Sequence, residues 1–270
     1  MPEVDFYAPG TPCWVDVVCA DVGEAVVFYE ELFGWRLGDT EGGYGVFTLD
    51  GPDVEAAVVA GIGPCAPGQA PVWSTYVCVA DVDATLAAAE RAGGSVVQPA
   101  TDVADAGRGG AFVDPTGATL SVWQPGTHIG ARAGGMPGTR VWSELVTSNV
   151  TRASRFYTQV LGWQIGNAVV NGADYAVAHA GGVGVAGLAA PPRSVGLPVH
   201  WSVTFAVADC DSAAETVAHF GGRITLGPTD VPDVGRFAAV VAPGGESFSI
   251  LAVSNPVLRD IGGASAGGAG

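Results

Sequence analysis

Two carboxylates interrupt apolar segments of the sequence and are its clearest candidates for chemistry. Asp16 lies within CWVDVVCA and Glu144 lies within RVWSELVTS, and both segments have the β-branched, alternating character of a strand. A charge that is buried alone in such a strand costs several kcal/mol. Each carboxylate must therefore be paired, hydrogen-bonded or functional.

The sequence is compatible with three uses of these carboxylates. A structural use is a salt bridge to an arginine such as Arg108 or Arg236, which both follow a glycine. A binding use is the attraction of a cationic amine, which an acidic protein would also steer. A catalytic use is general acid or base chemistry without a metal, because burial raises the pKa of a carboxyl group. Asp16 and Glu144 are therefore the catalytic candidates.

The 270-residue chain is acidic and lacks lysine. It contains 48% hydrophobic and 14% charged residues, and 27 acidic against 11 basic residues, all of them arginine, give a formal net charge of −16. Without lysine there is no Schiff-base lysine, pyridoxal-phosphate anchor or P-loop lysine. No nucleophile elbow, Ser-His-Asp pattern or dinucleotide-binding glycine motif follows a strand, so covalent hydrolysis and nicotinamide chemistry have no support.

Charge and cysteine usage also limit the partners and the location. An acidic surface repels phosphate backbones and anionic lipid, so neither nucleic acid nor a membrane is predicted as a partner. The five cysteines have no C-x-x-C spacing, the first residues do not form a signal peptide, and no stretch reaches the ~18 apolar residues of a membrane span. We expect reduced cysteines and a cytoplasmic protein, with leaderless secretion as the open alternative.

An internal repeat organises the chain. Tryptophans recur at an offset of 128 residues in three pairs, Trp14 and Trp142, Trp35 and Trp163, and Trp73 and Trp201. The last two pairs are interpreted as core residues. The repeat predicts a first module over residues 11–124 and a second over residues 139–253. Residues 125–138, rich in Gly and Pro, are predicted to form an exposed linker with His128 as an ordinary linker residue, and residues 261–270 a disordered tail.

Within each module the apolar period switches between that of a strand and that of a helix. The first module opens with the strand CWVDVVCA, the helix DVGEAVVFYEELFG and three short strands, and a second such unit opens with VWSTYVCVA and DVDATLAAAERAGG. Asp21 and Gly34 are the predicted start and stop of the first helix. The order predicts an α+β architecture of four βαβββ units, two in each module.

These motifs resemble a known superfamily. The strand leading to Asp21, FYEELFGW, the helix ending in RAGG and FVDPTGATLSVW, with FYTQVLGW, HFGG and APGGESFSIL in the second module, resemble vicinal-oxygen-chelate modules of the glyoxalase/bleomycin resistance/dioxygenase superfamily. The openings PGTPCWVD and PGTRVWSE are similar to two-module actinobacterial members, among them a mycobacterial antigen type and glyoxalase-like accessory proteins of anthracycline clusters. The resemblance implies curved sheets around cup-shaped cavities and leaves the function open.

The resemblance also implies where a divalent metal would bind. Members usually hold the metal with a His, Gln or Glu on the first strand, a His on the fifth and a Glu on the eighth. The corresponding positions in this chain are Trp14 and Trp142, Ser74 and Ser202, and Ser121 and Ser249. Indole and serine side chains do not hold a divalent metal at neutral pH, so no metal and no other cofactor is predicted. A displaced site formed by Glu144, His179 and His200 is the alternative.

The same positions supply the predicted ligand-binding residues. Indoles in place of metal ligands would form a flat apolar wall that suits planar aromatic ligands, and serine hydroxyls could donate hydrogen bonds to a carbonyl or phenol. His200 and the two carboxylates are added because strand alternation places them on the same faces. The set comprises Trp14, Asp16, Ser74, Ser121, Trp123, Trp142, Glu144, His200, Ser202 and Ser249.

The leading hypothesis is a metal-free binding protein for a planar aromatic natural product, with a cationic amine as a suitable substituent, in self-resistance or aromatic polyketide tailoring. The alternative is a glyoxalase-like lyase, isomerase or hydroxylase-like enzyme that uses Asp16 or Glu144 as acid or base, or a displaced metal. The expected partner is thus a small aromatic or cationic molecule. The chain is expected to be a monomer of two pseudo-twofold modules or a homodimer.

Overall fold

A computed structural model describes residues 4–51, 54–170, 173–191 and 198–254 of the chain. The tail predicted over residues 261–270 lies outside the described residues. The first half forms β1 (Pro12–Cys19), α1 (Val22–Phe33), β2 (Trp35–Glu41), β3 (Tyr44–Gly51), β4 (Val54–Pro64), β5 (Val72–Cys78), α2 (Val82–Arg91), β6 (Ser95–Val103), β7 (Gly107–Val113) and β8 (Thr119–Pro125). The second half forms β9 (Arg140–Val146), α3 (Val150–Leu161), β10 (Gln164–Val170), β11 (Ala173–Ala180), β12 (Val183–Ala189), β13 (His200–Ala206), α4 (Cys210–His219), β14 (Arg223–Val231), β15 (Gly235–Val241) and β16 (Ser247–Val253).

Each half of the chain forms one curved, eight-stranded mixed sheet. The strand orders are β2-β3-β4-β1-β5-β8-β7-β6 and β10-β11-β12-β9-β13-β16-β15-β14. In the first sheet β1 and β5 pair antiparallel at the centre, β4 runs parallel to β1, and β8 runs parallel to β5. The predicted α+β fold of four βαβββ units is confirmed. Its consequence is that the opening strands of two units lie side by side, so that their side chains meet at the centre of the sheet.

The first helix begins and ends at the predicted residues. The side chain of Asp21 accepts a hydrogen bond from the Glu24 N–H at the start of α1, and Gly34 ends that helix in the left-handed conformation with φ 71°. In the second module Asn149 caps α3 and Gly162 ends it with φ 70°. None of the helices in the described ranges is long and apolar enough to cross a membrane.

The two main apolar cores are each built from both modules. Helices α1 and α4 pack over one core, and α2 and α3 pack over the other. Trp73 and Trp201 lie in these cores, as predicted, and each indole donates to a buried tyrosine hydroxyl at 3.0 Å, Tyr29 or Tyr157. The modules are therefore joined by shared packing as well as by the chain.

Trp35 and Trp163 also join the modules. Both are fully buried, which confirms their assignment to the core. The Trp35 indole donates to the carbonyl of Gly138 and the Trp163 indole donates to the carbonyl of Gly10, each at 2.7 Å. Each indole thus bonds the segment that leads into the first strand of the other module, and the two bonds are related by the repeat.

The linker is not the exposed connection that its glycines and prolines predict. Ala131 and Ala133 are buried. The Ala131 N–H donates to the Cys13 carbonyl, and the Arg132 N–H donates to the Val58 carbonyl, both at 2.8 Å. Because these backbone groups find partners on the first sheet, the linker folds across the first module instead of running through solvent.

The turn between β7 and β8 and the equivalent turn between β15 and β16 each contain a buried carboxyl group, but at different positions. In the turn between β7 and β8, Asp114 accepts bonds from backbone N–H groups of its own turn and, at 2.9 Å, from the Tyr157 hydroxyl of the second module. In the equivalent turn of the second module Ala242 replaces this aspartate, and Glu246, four residues later in the same turn, is fully buried. Neither carboxyl oxygen of Glu246 has a hydrogen-bond partner among the described residues, and burial raises its pKa.

The Glu246→Gln variant is expected to lose stability less steeply than the wild type as the pH rises. A carboxyl whose pKa is raised by folding contributes stability below its unfolded pKa, about 4.3 for glutamate, and loses it as the pH rises through the folded pKa. At alkaline pH the variant should therefore gain about 1–3 kcal/mol in free energy of unfolding over the wild type.

Urea unfolding at a series of pH values measures this difference. Glu215→Gln is the matched control, because Glu215 lies exposed on α4. A difference between Glu246→Gln and the wild type that stays constant across the pH range would contradict the assignment.

Candidate functional site

One face of each sheet packs against the helices and the other face is concave. Val15 and Val17 of β1 lie in the helix-covered core, so Trp14 and Asp16, which alternate with them, face the concave side. We call the concave face of the first sheet, which carries Trp14 and Asp16, the first cup. The second cup is the concave face of the second sheet, which carries Trp142 and Glu144.

In the first cup Asp16 accepts hydrogen bonds from two tyrosines. The Tyr76 hydroxyl donates to Oδ2 of Asp16 at 2.8 Å, and the Tyr44 hydroxyl donates to the same oxygen at 3.5 Å. The Trp14 indole N–H in turn donates to the Tyr44 hydroxyl at 3.1 Å. Burial raises the pKa of Asp16 to about 6, against the lowering effect of hydrogen bonds from Tyr76, Ser74 and Tyr44.

The second cup repeats this chain of hydrogen bonds with a single tyrosine. The Trp142 indole N–H donates to the Tyr175 hydroxyl at 2.8 Å, and that hydroxyl donates to Oε2 of Glu144 at 2.6 Å. Burial raises the pKa of Glu144, and the Tyr175 hydrogen bond opposes the increase. The position equivalent to Tyr76 is Thr204, so Glu144 keeps more of its hydrogen-bonding capacity for a ligand.

The structural alternative, a salt bridge from Arg108 or Arg236 to these carboxylates, is wrong. Arg108 pairs with Asp83 and Asp102, at 2.9 and 2.6 Å. Arg236 makes the equivalent pairs with Asp211 and Asp230. The Gly-Arg motif recurs because each arginine joins an exposed strand edge to the start of a helix, and tyrosine hydroxyls take the place of arginine beside the buried carboxylates.

The two tyrosines were not predicted from the sequence because they break the offset of the repeat. Tyr44 and Tyr175 are 131 residues apart, whereas the tryptophans and carboxylates keep an offset of 128. Irregular strand pairing in β2–β3 and β11–β12 accommodates the different spacing. A tyrosine at the start of the third strand of both modules, allowing for a short insertion, is the signal that could have revealed them.

A glycine opposite each carboxylate makes room for the tyrosine. Gly61 pairs with Asp16, and Gly187 pairs with Glu144, in the parallel ladders at the centre of the sheets. A Cβ atom at Gly61 would overlap the Tyr44 hydroxyl, and one at Gly187 would overlap the Tyr175 hydroxyl. The absent side chains are therefore what allows the phenol rings to lie across the strands.

The first cup is covered by other parts of its own chain. Trp14 is 5% exposed and Asp16 is 7% exposed, and the segment containing Tyr7 packs with Trp14. The Tyr7 hydroxyl donates to the Ala131 carbonyl of the linker at 2.8 Å. Trp123, also predicted to bind ligand, donates its indole N–H to the linker at 2.8 Å. These side chains already have partners, so the first cup offers little surface to an external molecule.

The second cup is more open within the described part of the chain. Trp142, Glu144 and Tyr175 are all half-buried. Its wall also differs, because Phe237 stands where Gly109 makes room for Trp123 in the first cup, and Leu251 stands in place of Trp123. The result is a concave surface with an indole and a phenol beside one carboxylate, and a phenyl ring further across the same sheet.

Two predicted serines lie beside the carboxylates and the other two lie further along the sheet. Ser74 pairs with Asp16, and Ser202 pairs with Glu144, across the central strands. Ser121 bonds to Tyr76, which links it to Asp16 indirectly. Ser249 is buried one strand beyond Ser202. Ligand binding by these serines stays a prediction.

The histidines do not join Glu144 in a metal site. The Nδ1 of His200 lies 2.8 Å from the Pro198 carbonyl, and the Nδ1 of His179 lies 3.1 Å from the Val177 carbonyl. Within the described ranges no three His, Cys, Asp or Glu residues are placed to hold a metal. The indoles and serines at the positions implied by the family resemblance are poor ligands for a divalent ion, so the residues present do not fit the metal of the metal-dependent members.

The Gly187→Ala variant is expected to displace Tyr175 from Glu144. The added Cβ would overlap the Tyr175 hydroxyl and lie 2.8 Å from Trp142 Nε1, so the free energy of unfolding should fall by about 1–3 kcal/mol. Gly227→Ala is the control, because no atom lies within 4 Å of a Cβ there, and it should change the free energy by less than about 0.5 kcal/mol. Equal effects of the two substitutions in chemical unfolding would show that Tyr175 does not need this space.

Comparison with known proteins places the chain in a family. The profile of the Glyoxalase/Bleomycin resistance protein/Dioxygenase superfamily matches residues 13–122 and 139–250. The protein named "Putative glyoxylase CFP32" of Mycobacterium tuberculosis is 42% identical over 93% of this chain and 98% of its own length. "Anthracycline biosynthesis protein DnrV" of Streptomyces peucetius is 35% identical over 96% and 99%. The Mn(II)-bound glyoxalase from Novosphingobium aromaticivorans shares the fold, with a TM-score of 0.62 at 19% identity over 94% of this chain and 85% of that one. The chain belongs to the glyoxalase/bleomycin resistance protein/dioxygenase superfamily.

Proposed function

We propose that the second cup binds a planar aromatic small molecule that carries a cationic amine, as part of the sequestration or tailoring of an aromatic natural product. The observation that carries the proposal is Glu144, a half-buried carboxylate that accepts a hydrogen bond from Tyr175, which in turn accepts one from the Trp142 indole. A half-buried, ionised carboxylate is stabilised most by a partner that carries a positive charge.

The physical chemistry of the cup matches both parts of such a ligand. A flat ring system would bury apolar area against Trp142, Phe237 and Leu251, and aromatic side chains favour other rings at their faces and edges. An ammonium group beside Glu144 would lower the pKa of that carboxyl and keep it ionised. The net charge of −16 would raise the local concentration of cations and speed their association.

The relatives support this chemical class. The name of DnrV assigns it to anthracycline biosynthesis, and a second Streptomyces relative, DauV, has the same designation. Anthracyclines combine a flat aromatic ring system with an amino sugar, which is the combination that the second cup favours. An accessory or sequestering role accounts for a cup that has the family's shape without its usual metal-binding side chains.

A catalytic role for Glu144 is the second candidate. Its pKa is raised by burial, and the 2.6 Å bond from the Tyr175 hydroxyl fixes the orientation of its carboxyl group. A carboxyl held in this way can act as a general acid or base in a lyase, isomerase or hydroxylase-like reaction. The same role for Asp16 is less favoured, because two tyrosines bond to it and the first cup is covered.

Glu144→Gln is expected to weaken binding of an amine-bearing anthracycline at least tenfold, a loss of about 1.4 kcal/mol. Isothermal titration calorimetry with daunorubicin measures this loss. The N-acetyl derivative, which lacks the positive charge, should bind the wild type and the variant equally. Glu215→Gln, an exposed substitution on α4 with the same chemistry, should leave both affinities unchanged.

The same titrations separate the two candidate functions. Absence of daunorubicin binding to the wild type would contradict the binding proposal for this class of ligand. Unchanged affinity together with loss of a chemical conversion in Glu144→Gln, followed by chromatography of the incubated compound, would favour the catalytic candidate.

The proposal includes no divalent metal. Because the family's metal positions hold indoles and serines, we expect inductively coupled plasma mass spectrometry to find only traces of metal in the purified, untagged protein after incubation with Zn, Fe, Ni and Mn. About one tightly held metal ion per chain would overturn this expectation and favour a glyoxalase-like enzyme with a displaced site.

A further inference from the structure

The linker places an aromatic ring in the first cup. The imidazole of His128 stands edge-on to the Trp14 indole, with ring centres 4.6 Å apart and an angle of 90° between the planes. It also contacts Trp123, with ring centres 5.8 Å apart. His128 is therefore more than the ordinary linker residue that its position in the sequence indicates.

Backbone hydrogen bonds hold this ring in position. The Trp123 indole N–H donates to the carbonyl of His128 at 2.8 Å, and the His128 N–H donates to the Ala106 carbonyl at 3.0 Å. Burial, with a smaller contribution from Arg132, lowers the pKa of His128, so the imidazole is neutral at neutral pH. A flat, uncharged heteroaromatic ring thus lies against Trp14.

The second cup repeats the indole and the carboxylate, but the position equivalent to His128 does not carry a ring. Trp142 and Glu144 repeat Trp14 and Asp16 at the offset of 128. The residue one repeat after His128 is Pro256. The two modules therefore differ in whether this position carries a ring.

We infer that His128 acts as an internal ligand of the first cup, and that the second cup binds the equivalent ring of another molecule. That molecule is a flat aromatic or heteroaromatic ring system, bound once per chain and edge-on to Trp142. This inference rests on the proposed function, because it takes the second cup as the ligand site. It adds the orientation of the ring and the assignment of a single site per chain. Phe237 and Leu251 would contact the ring on the side where Trp123 contacts His128.

The free histidine side chain, 4-methylimidazole, is the direct probe. It is added at millimolar concentration, at a pH where it is neutral, to ¹⁵N-labelled protein, and the indole N–H signals of the seven tryptophans are followed by NMR. Trp14→Phe and Trp142→Phe assign the two signals of interest. In the wild type the Trp142 signal should shift and the Trp14 signal should not. In His128→Ala the Trp14 signal should shift as well.

Two matched variants control this experiment. His219→Ala removes an exposed histidine at the end of α4 and should behave as the wild type. His128→Gln keeps a polar side chain without a ring, and serves if His128→Ala does not fold. A shift of the Trp14 signal in the wild type would show that the first cup is open and would overturn the inference.

The Trp142 signal separates the inference from the proposed function. If daunorubicin binds but 4-methylimidazole leaves the Trp142 signal unchanged, the edge-on ring is wrong while the binding proposal stands. If neither compound affects the second cup, both are wrong. If 4-methylimidazole shifts Trp142 while daunorubicin does not bind, the ring site stands and the anthracycline class is wrong.

Discussion

A carboxylate at the centre of a sheet must find hydrogen-bond donors, and both halves of this chain satisfy that requirement in the same way. A tyrosine from the neighbouring hairpin lies across a glycine and bonds to the carboxylate, and a tryptophan two residues before the carboxylate bonds to the tyrosine. The arrangement uses four residue types in each module, because a larger residue than glycine, or a phenylalanine in place of the hairpin tyrosine, would remove that tyrosine's hydrogen bond to the carboxylate.

Duplication of this arrangement allowed the two cups to diverge. In the first, a second tyrosine bonds to Asp16, and the linker and the N-terminal segment pack over Trp14, so that the polar and aromatic groups of this cup serve the fold. In the second, Thr204 replaces that tyrosine and Glu144 remains half-buried. Packing between modules keeps both sheets in place, because α1 with α4 and α2 with α3 share cores across the boundary. The groups of the first cup can therefore stabilise the fold, while those of the second cup remain available to a ligand.

Most of the fold was predictable from the sequence. The offset of 128 indicates two copies of one module, and Asp21 and Gly34 are local signals for the start and the end of α1. The partners of the carboxylates were not predictable, since Tyr44 and Tyr175 follow a different offset and lie far away along the chain. The prediction of an exposed linker was wrong. Its glycines and prolines indicate which backbone conformations are accessible, but they do not reveal the hydrogen bonds that Ala131 and Arg132 make to the first sheet. Trp14 was predicted on the same strand face as Asp16. The contact between His128 and the Trp14 ring was not predictable, because it depends on how the linker folds over the first sheet.

The central prediction is that the open second cup, and not the covered first cup, receives the ligand. A crystal structure of the protein with an amine-bearing anthracycline tests it most directly. We expect one molecule per chain, with its amine within salt-bridge distance of Glu144 and its rings against Trp142 and Phe237, and with His128 still in contact with Trp14. A ligand that displaces His128 and occupies the first cup, or one that binds outside both cups, would contradict it.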